Sequence, residues 1–498
     1  MRCPRAPGYT DAVTTPSSQH DRLAAIAATA MRERGLEPEF PAEALAQAAA
    51  LSGTFEGTAA LRDLRALPWC SIDNDDSRDL DQLSVAERLA DGRVRVLVAV
   101  ADVDVAVPKD SPIDRHAALN MTSVYTPARV FPMLPLRLST DLTSLNADED
   151  RLAMVVEYIV NADGSVESDD VYAARVRNQA HLVYDDIDAF LAGRGPLPPD
   201  AQTPGIRDQL VMQDELAQAL SKRRHELGAL DFELSETRVR FDGNQLRSLE
   251  PELPNRAKSL IENLMIASNG VVARFLDRRG SLSIRRVVHA PERWDRIVAI
   301  AKALGTTLPE TPNALALSQF LAARKAADPA GFHELSHTII LLVGAGEYLV
   351  DTPTTDAPGH FALAVKDYTH STAPNRRYPD LLTQRLLKAV LLGQPSPYSF
   401  DALTALARLC TQREDDANRV ERQVRKSAAA MLVDSKIGQR FEAVVSGASP
   451  KGTYVRTVDP HIEGRVVRGQ AGLDVGDHVT AQLVAVNVDR GFIDFAVG

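Results

Sequence analysis

The chain has little of what marks several protein classes. Its three cysteines, Cys3, Cys70 and Cys410, make neither a CxxC pair nor an even set, so disulfides, a disulfide-linked partner and thiolate zinc sites are not expected. No apolar run approaches the ~20 residues needed to cross a bilayer; the longest lies around 338–346. The first twenty residues mix Pro, Thr, Ser and Arg without an apolar stretch of signal-peptide length. A cytoplasmic protein without a membrane partner is the expectation. No heptad repeat calls for assembly, which points to a monomer. Excess positive charge is also missing: 56 Lys and Arg against 67 Asp and Glu leave a net charge of -11. Taken alone, that sum argues against binding nucleic acid, which needs local positive potential.

The distribution of charge says more than the sum. Acidic residues concentrate at 73–81 and 185–188, and basic ones at 222–224, 376–388 and 419–426. An acidic metal centre reached through a basic channel has this pattern, and so does an acidic protein with ordinary solvated charge runs. The composition, 45% hydrophobic and 25% charged, is that of a globular chain, and at ~150 residues per domain about three domains are expected. Residues 1–20 read as a flexible tail and 21–68 as an Ala-rich helical segment, split by Pro41 and Ser52-Gly53. From Trp69 to 393 the chain reads as one large mixed α/β domain. In it 93–107, RVRVLVAVADVDVAV, forms a buried strand and its continuation, and a helix over 255–278 carries Leu260, Leu264, Ile266 and Phe275. Residues 394–439 read as helices, one of which sets Arg419, Arg422 and Lys426 on one face, either a guide for RNA or a solvated surface. Residues 440–498 contain five short strands with glycine turns, a small OB-type β-barrel.

The stretch SIDNDDSRDLDQL, 71–83, crowds five aspartates into nine positions. Asp79 and Asp81, at i and i+2, point to one side of an extended segment, and Asp73 can return to them through a turn. Such a carboxylate set suits Mg²⁺ or Mn²⁺ and two-metal phosphodiester hydrolysis. An acidic surface loop or a single structural Ca²⁺ site are the alternatives. A separate HELSH, 333–337, fits the H-E-x-x-H zinc pattern, with His333 and His337 as ligands and Glu334 as base, but no third-ligand extension follows it. A capped helix within the large domain is the simpler account of it.

Four motifs in order make the chain resemble the RNB-domain exoribonucleases, the RNase II and RNase R class. They are IDNDDSRDLDQ at 72–82, Tyr125 shortly before PMLP at 132–135, LIENLMIASN at 260–269, and HFALAVKDYTHSTAPNRRYPDLLTQR at 360–385. The resemblance implies a 3′-to-5′ exoribonuclease that hydrolyses single-stranded RNA to nucleoside 5′-monophosphates with Mg²⁺ or Mn²⁺. It gives Asp73, Asp79 and Asp81 the metal, Tyr125 the 3′-terminal nucleotide and Arg376 the scissile phosphate. Arg377 would position backbone phosphate or pair with Asp380, while Glu262 and Tyr184 would contact the RNA. The barrel resembles an RNA-binding module, with Phe441, Tyr454 and His461 available for bases. Two features depart from the family. Where the commonest signature ends in two aspartates this chain has Asp81-Gln82, so Asp75, Asp76 or Asp102 would have to supply the missing carboxylate, unless the site works with weaker metal affinity. Residues 21–67 are too short and too helical to be paired cold-shock barrels. A silent RNA-binding relative, motivated by Gln82, and a zinc hydrolase at His333 and His337 stand as the other readings.

Overall fold

The computed structural model describes residues 18–498 except 54, 58–60, 233–236, 252, 353, 355–356 and 450–451. Positions 1–17 of the expected tail, with Cys3, lie outside the described residues, and 18–20 already belong to the first helix. Helix α1 (Gln19–Glu33) begins where the Ser18 hydroxyl accepts the Asp21 N–H at 3.1 Å, and it buries Leu23, Ala27 and Met31. Helix α2 (Ala42–Ala50) follows Pro41. The helical reading does not extend to Leu67: Gly53 turns the chain at φ 80, and β1 (Arg62–Asp63) pairs in parallel with a strand of the main sheet. Side chains fix this segment against the sheet, since Arg65 bonds both Asp63 and Asp150 and the Trp69 indole donates to the Leu64 carbonyl at 2.8 Å.

The main sheet grows from β2 (Cys70–Asp73), β3 (Gln82–Arg88) and β4 (Val94–Ala101). After α3 (Pro112–Asn120) and the hairpin β5 (Val124–Tyr125) and β6 (Val130–Phe131), it is completed by β7 (Asp150–Val160), β8 (Val166–Arg177) and β9 (Ala180–Val183). Its order is β1-β8-β7-β4-β3-β2-β9, with antiparallel pairs at the centre. The sequence VRVLVAVA of β4 is buried on both faces apart from Arg95, as a central strand must be. The strand stops at Ala101 instead of running on to Val107, because the next residues are charged and captured. Asp102 and Asp104 meet the buried Lys388, and Asp104 and Asp114 meet the buried Arg385.

Helices α4 (Tyr184–Leu191), α5 (Ile206–Glu226) and α6 (Arg256–Arg278) pack on the sheet, with the hairpin β10 (Thr237–Asp242) and β11 (Gln245–Pro251) between the last two in sequence. Asn255 caps α6 by accepting the Lys258 N–H at 3.0 Å, and Leu260, Leu264 and Phe275 enter the main core as expected. Strand β12 (Ser283–Val287) pairs with β13 (Glu347–Asp351) across an excursion of three helices, α7 (Trp294–Ala303), α8 (Ala314–Ala327) and α9 (Pro329–Val343), which share a small core of their own. Helix α10 (Tyr378–Leu391) returns to the main core.

The expected helices of 394–439 are chiefly a single 34-residue α11 (Phe400–Val433), about 50 Å long at 1.5 Å per residue. It runs past β13 and β5 to the C-terminal barrel. There β14 (Arg440–Ser449), β15 (Gly452–Thr457), β16 (Glu463–Arg468), β17 (His478–Asn487) and β18 (Phe492–Val497) close in the order β14-β15-β16-β18-β17. The five expected strands are therefore present. Among the described residues no helix is long and apolar enough to cross a membrane.

A buried imidazole joins the N-terminal segment to α3. His116 is 5% exposed, packs on Phe40 with ring centroids 4.4 Å apart, and sits beside Asn120, which exchanges hydrogen bonds with the Glu37 backbone. Burial pushes its pKa down to about 4. A folded-state pKa below the unfolded value gives stability that is complete above the ordinary histidine range and lost as pH falls through about 4. Replacing His116 with Gln should flatten the acid limb of the unfolding free energy against pH, followed by urea denaturation, by roughly 1–3 kcal/mol. An unaltered acid limb would remove His116 from the account.

Candidate active site

The aspartate signature lies where two sheet strands part. Strands β2 and β3 are paired only at Cys70 and Ser84, so 74–81 leaves the sheet as an open loop beside a cavity of about 540 Å³. Its last residues alternate as extended chain does. Leu80 is buried, with its N–H on the Ser144 hydroxyl, whereas Asp79 and Asp81 face the cavity. Asp81 is 3% exposed; its Oδ1 accepts the Asn375 N–H at 2.9 Å and its Oδ2 lies 3.3 Å from Arg376 Nε. Burial pushes the Asp81 carboxyl up to about 7, with Arg376 opposing the rise and Asp79 adding to it. Burial also raises Asp79, and the Asp73 charge adds to that.

Asp73 lines the same cavity but is turned onto its own loop, its Oδ1 accepting the Asn74 N–H and the Ser77 hydroxyl, each at 2.8 Å. The expected convergence is thus a close pair with a third carboxylate alongside. Among the described residues no three acidic, imidazole or thiol groups are gathered as a ready metal cage. The donors nevertheless suit a hard cation. They are carboxylates, the Asp73 charge raising the pKa of Asp79 and the Asp79 charge that of Asp81, and the buried Asp81 Oδ2 accepts no hydrogen bond.

Tyr125 ends β5 on the opposite wall. Its hydroxyl donates to Asp79 Oδ2 at 3.1 Å and its N–H donates to Glu421 Oε1 of α11 at 2.9 Å. The ring is open to the cavity, 41% exposed, while burial of the hydroxyl end and the nearby Asp79 raise the phenol pKa well above its ordinary value. It therefore remains a donor. The Arg376 loop is fixed from two sides. Ser123 donates its N–H and Thr122 its hydroxyl to the Arg376 carbonyl. The fully buried Asp380 accepts the Ala373 N–H at 2.8 Å and pairs with Arg377 at 2.7 Å. Arg376 itself is left 42% exposed in the cavity.

Tyr184, at the start of α4, and Glu262, on α6, line the cavity, as does Gln82. The sequence reading missed Lys258, Asn269, Tyr368 and Thr372, which line it too, and Glu421, which holds Tyr125. The α6 residues were findable: Lys258, Glu262, Ile266 and Asn269 follow one helical face.

Other expected residues fall elsewhere. Asp75 and Asp76 are exposed, each 3.8 Å from Arg238, and Asp102 is paired with Lys388 at 2.5 Å, so none replaces the carboxylate that Gln82 lacks. Within the 376–388 cluster, Arg385 and Lys388 are buried among carboxylates and line no channel. Arg419, Arg422 and Lys426 form an exposed face of α11 outside the cavity, because Glu414, Asn418 and Glu421 occupy the face turned toward Arg376. Tyr454 is exposed on β15, but Phe441 fills the barrel core, edge to face with Phe495. His461 is half-buried. In HELSH, His337 is exposed and His333 half-buried on α9, which is capped by Asp328, while Phe332 and Ile339 enter the small helical core. With no third ligand group gathered there among the described residues, the zinc reading falls and the capped helix stands.

Residues 61–393 match the RNB domain, and 439–498 match the RNase II-type exonuclease C-terminal S1 domain. The chain belongs to the RNB-domain exoribonuclease family, the RNase II and RNase R class, whose members are metal-dependent. It is 31% identical over 505 residues to Ribonuclease R of Vibrio cholerae, covering 94% of this chain and 60% of that protein. With Ribonuclease R of Thermotoga maritima it shares 30% over 496 residues, covering 92% and 68%. The chain thus spans about 60% of the length of the Vibrio protein. The fold matches that of Mycoplasma genitalium RNase R in complex with ribose methylated single-stranded RNA, with a TM-score of 0.85 at 22% identity over 97% of this chain and 78% of that one.

Because the fully buried Asp380 pairs with the partly buried Arg377 and holds the Arg376 loop, Asp380→Ala should cost about 3–5 kcal/mol, read as a lowered urea midpoint. A loss below about 1 kcal/mol, the scale of an exposed pair, would show that the loop is held by other contacts.

Proposed function

We propose that the protein is a 3′-to-5′ exoribonuclease that hydrolyses single-stranded RNA to nucleoside 5′-monophosphates, working as a monomer in the cytoplasm. The observation that carries this reading is the meeting of Asp79, Asp81, Tyr125 and Arg376, from three distant segments, in one cavity. Asp73, Asp79 and Asp81, with the Gln82 amide oxygen, would hold Mg²⁺ or Mn²⁺. When bound, the cation supplies positive charge that favours ionisation of water and stabilises the leaving oxygen.

The chain's own groups do the rest. Tyr125 presents its ring to the terminal nucleotide while Asp79 and Glu421 fix its two ends, and stacking of this kind contributes ~1–3 kcal/mol without selecting a base. The exposed Arg376 fork reaches the scissile phosphate, its backbone already fixed by Ser123 and Thr122, so little reorganisation accompanies the build-up of charge. Water oxygen bonds to phosphorus, the bond from phosphorus to the upstream 3′ oxygen breaks, and that oxygen takes a proton. The released unit keeps its 5′ phosphate. Tyr184 and Glu262, which line the cavity, would contact base and sugar of the threaded strand, and Arg377, held by Asp380, would support the phosphate site from behind. The basic face of Arg419, Arg422 and Lys426 and the exposed Tyr454 would meet RNA outside the cavity.

Gln82 removes one negative charge from the metal site but keeps an oxygen donor, which favours turnover with a weaker hold on the cation. A time course of 5′-labelled single-stranded RNA with Mg²⁺ or Mn²⁺ tests this. The wild type should shorten the RNA progressively, Asp81→Asn should lose at least about a hundredfold in rate, and Gln82→Asp should lower the metal concentration required. Binding without cleavage by the wild type, with cleavage gained in Gln82→Asp, would instead identify a silenced relative that holds RNA.

A further inference from the structure

The two peptide groups that flank Asp79 are held by one side chain. Ser144, fully buried, accepts the Leu80 N–H at 3.0 Å, and its single proton lies between the Arg78 carbonyl at 2.8 Å and Asn146 Oδ1 at 2.9 Å. The hydroxyl therefore fixes the chain both where it enters Asp79 and where it leaves. Side chains alternate along an extended segment, so with Leu80 held inward Asp79 and Asp81 stay turned to the cavity.

The neighbours of Ser144 extend this hold to the opposite wall. Thr143 donates its hydroxyl to Asn375 Oδ1 at 2.6 Å, and the Asn375 N–H is the donor to Asp81 Oδ1 at 2.9 Å. The Leu145 N–H donates to the Leu80 carbonyl at 2.9 Å. Residues 143–145 thus reach the aspartate loop and the arginine loop together. They are fixed in turn, since Arg151 Nε donates to the Ser144 carbonyl at 2.9 Å and Asn178 to the Leu145 carbonyl at 3.0 Å. Ser144 itself does not line the cavity. Its role must pass through the backbone on either side of Asp79. A hydroxyl suits that role because one atom both accepts and donates, whereas alanine has no polar side-chain atom and a thiol does either only weakly.

We propose that Ser144 is a positioning residue of the hydrolytic site, acting through the peptide groups around Asp79 to keep the Asp79 and Asp81 carboxylates aimed at the cation they would hold. This rests on the metal-dependent exoribonuclease reading and adds a residue to it. Loss of a group that orients a metal ligand typically costs about 10–100-fold in metal affinity or activity, and that loss separates positioning from a purely structural hydrogen bond.

The test is a titration of the whole protein with Mn²⁺ in the absence of RNA, the free ion being followed by electron paramagnetic resonance. Melting temperature and affinity for single-stranded RNA in EDTA are measured beside it. Ser144→Ala should bind Mn²⁺ at least about tenfold more weakly and need correspondingly more Mn²⁺ for half-maximal RNA degradation. Its RNA affinity in EDTA should be unchanged, because Tyr125 and Arg376 keep their other contacts. Ser144→Cys fills nearly the same space and should show the same defect, and it carries the test if the alanine variant does not fold. Wild-type Mn²⁺ affinity in either folded variant, whatever its melting temperature, would make Ser144 structural and overturn the proposal. Equal losses of Mn²⁺ and RNA affinity would show a general loosening of the domain and overturn it too. If the wild type takes up no Mn²⁺, the metal-dependent reading fails and takes this one with it.

Discussion

The arrangement of the site depends on one buried carboxylate. Asp81 is carried by the chain at the edge of β3, yet its partners, the Asn375 N–H and Arg376, come from nearly three hundred residues later. A 3% exposed carboxylate is costly unless charge and donors reach it. Meeting that requirement brings the aspartate loop and the arginine loop together, and the cavity is the space between them.

The surroundings serve to keep those loops still. The Arg376 loop is gripped by Thr122 and Ser123 on one side and by Asp380 on the other. Tyr125 lies two residues after Ser123 and is tied in turn to Asp79 and to Glu421. A movement of either loop would therefore disturb all the cavity-facing groups together, which is how a site keeps groups from separate segments in a fixed geometry. Helix α11 extends this coupling, since it packs against β5 at one level and against the barrel at another.

Much of this was legible in the sequence. The unbroken Val-rich run of β4, the apolar face and Asn cap of α6 and the five glycine-punctuated strands of the barrel are local patterns, and each formed where its periodicity placed it. Residues 61–67 and 102–107 were misread because their conformation is set by distant charges. Arg65 grips Asp150 across the sheet, and Lys388 and Arg385 capture Asp102 and Asp104. Phe441 was offered as a base contact because a short aromatic-containing strand does not reveal which side faces inward until the barrel closes.

By itself, the sequence determined the kinds of chemistry available: crowded aspartates, a tyrosine before PMLP, a paired arginine motif and a glutamine where a further aspartate is usual. It also determined the order of the domains, because hydrophobic periodicity acts over a few residues. Only the tertiary structure decided which of those groups share a cavity. It sent Arg377, Arg385 and Lys388 to buried carboxylates and left Arg376 open to the cavity. It also brought Lys258 and Glu421 to the site unannounced. The reason is physical: a charge buried at one point of the fold must find its counter-charge in space, and nothing in the local sequence says where that will be.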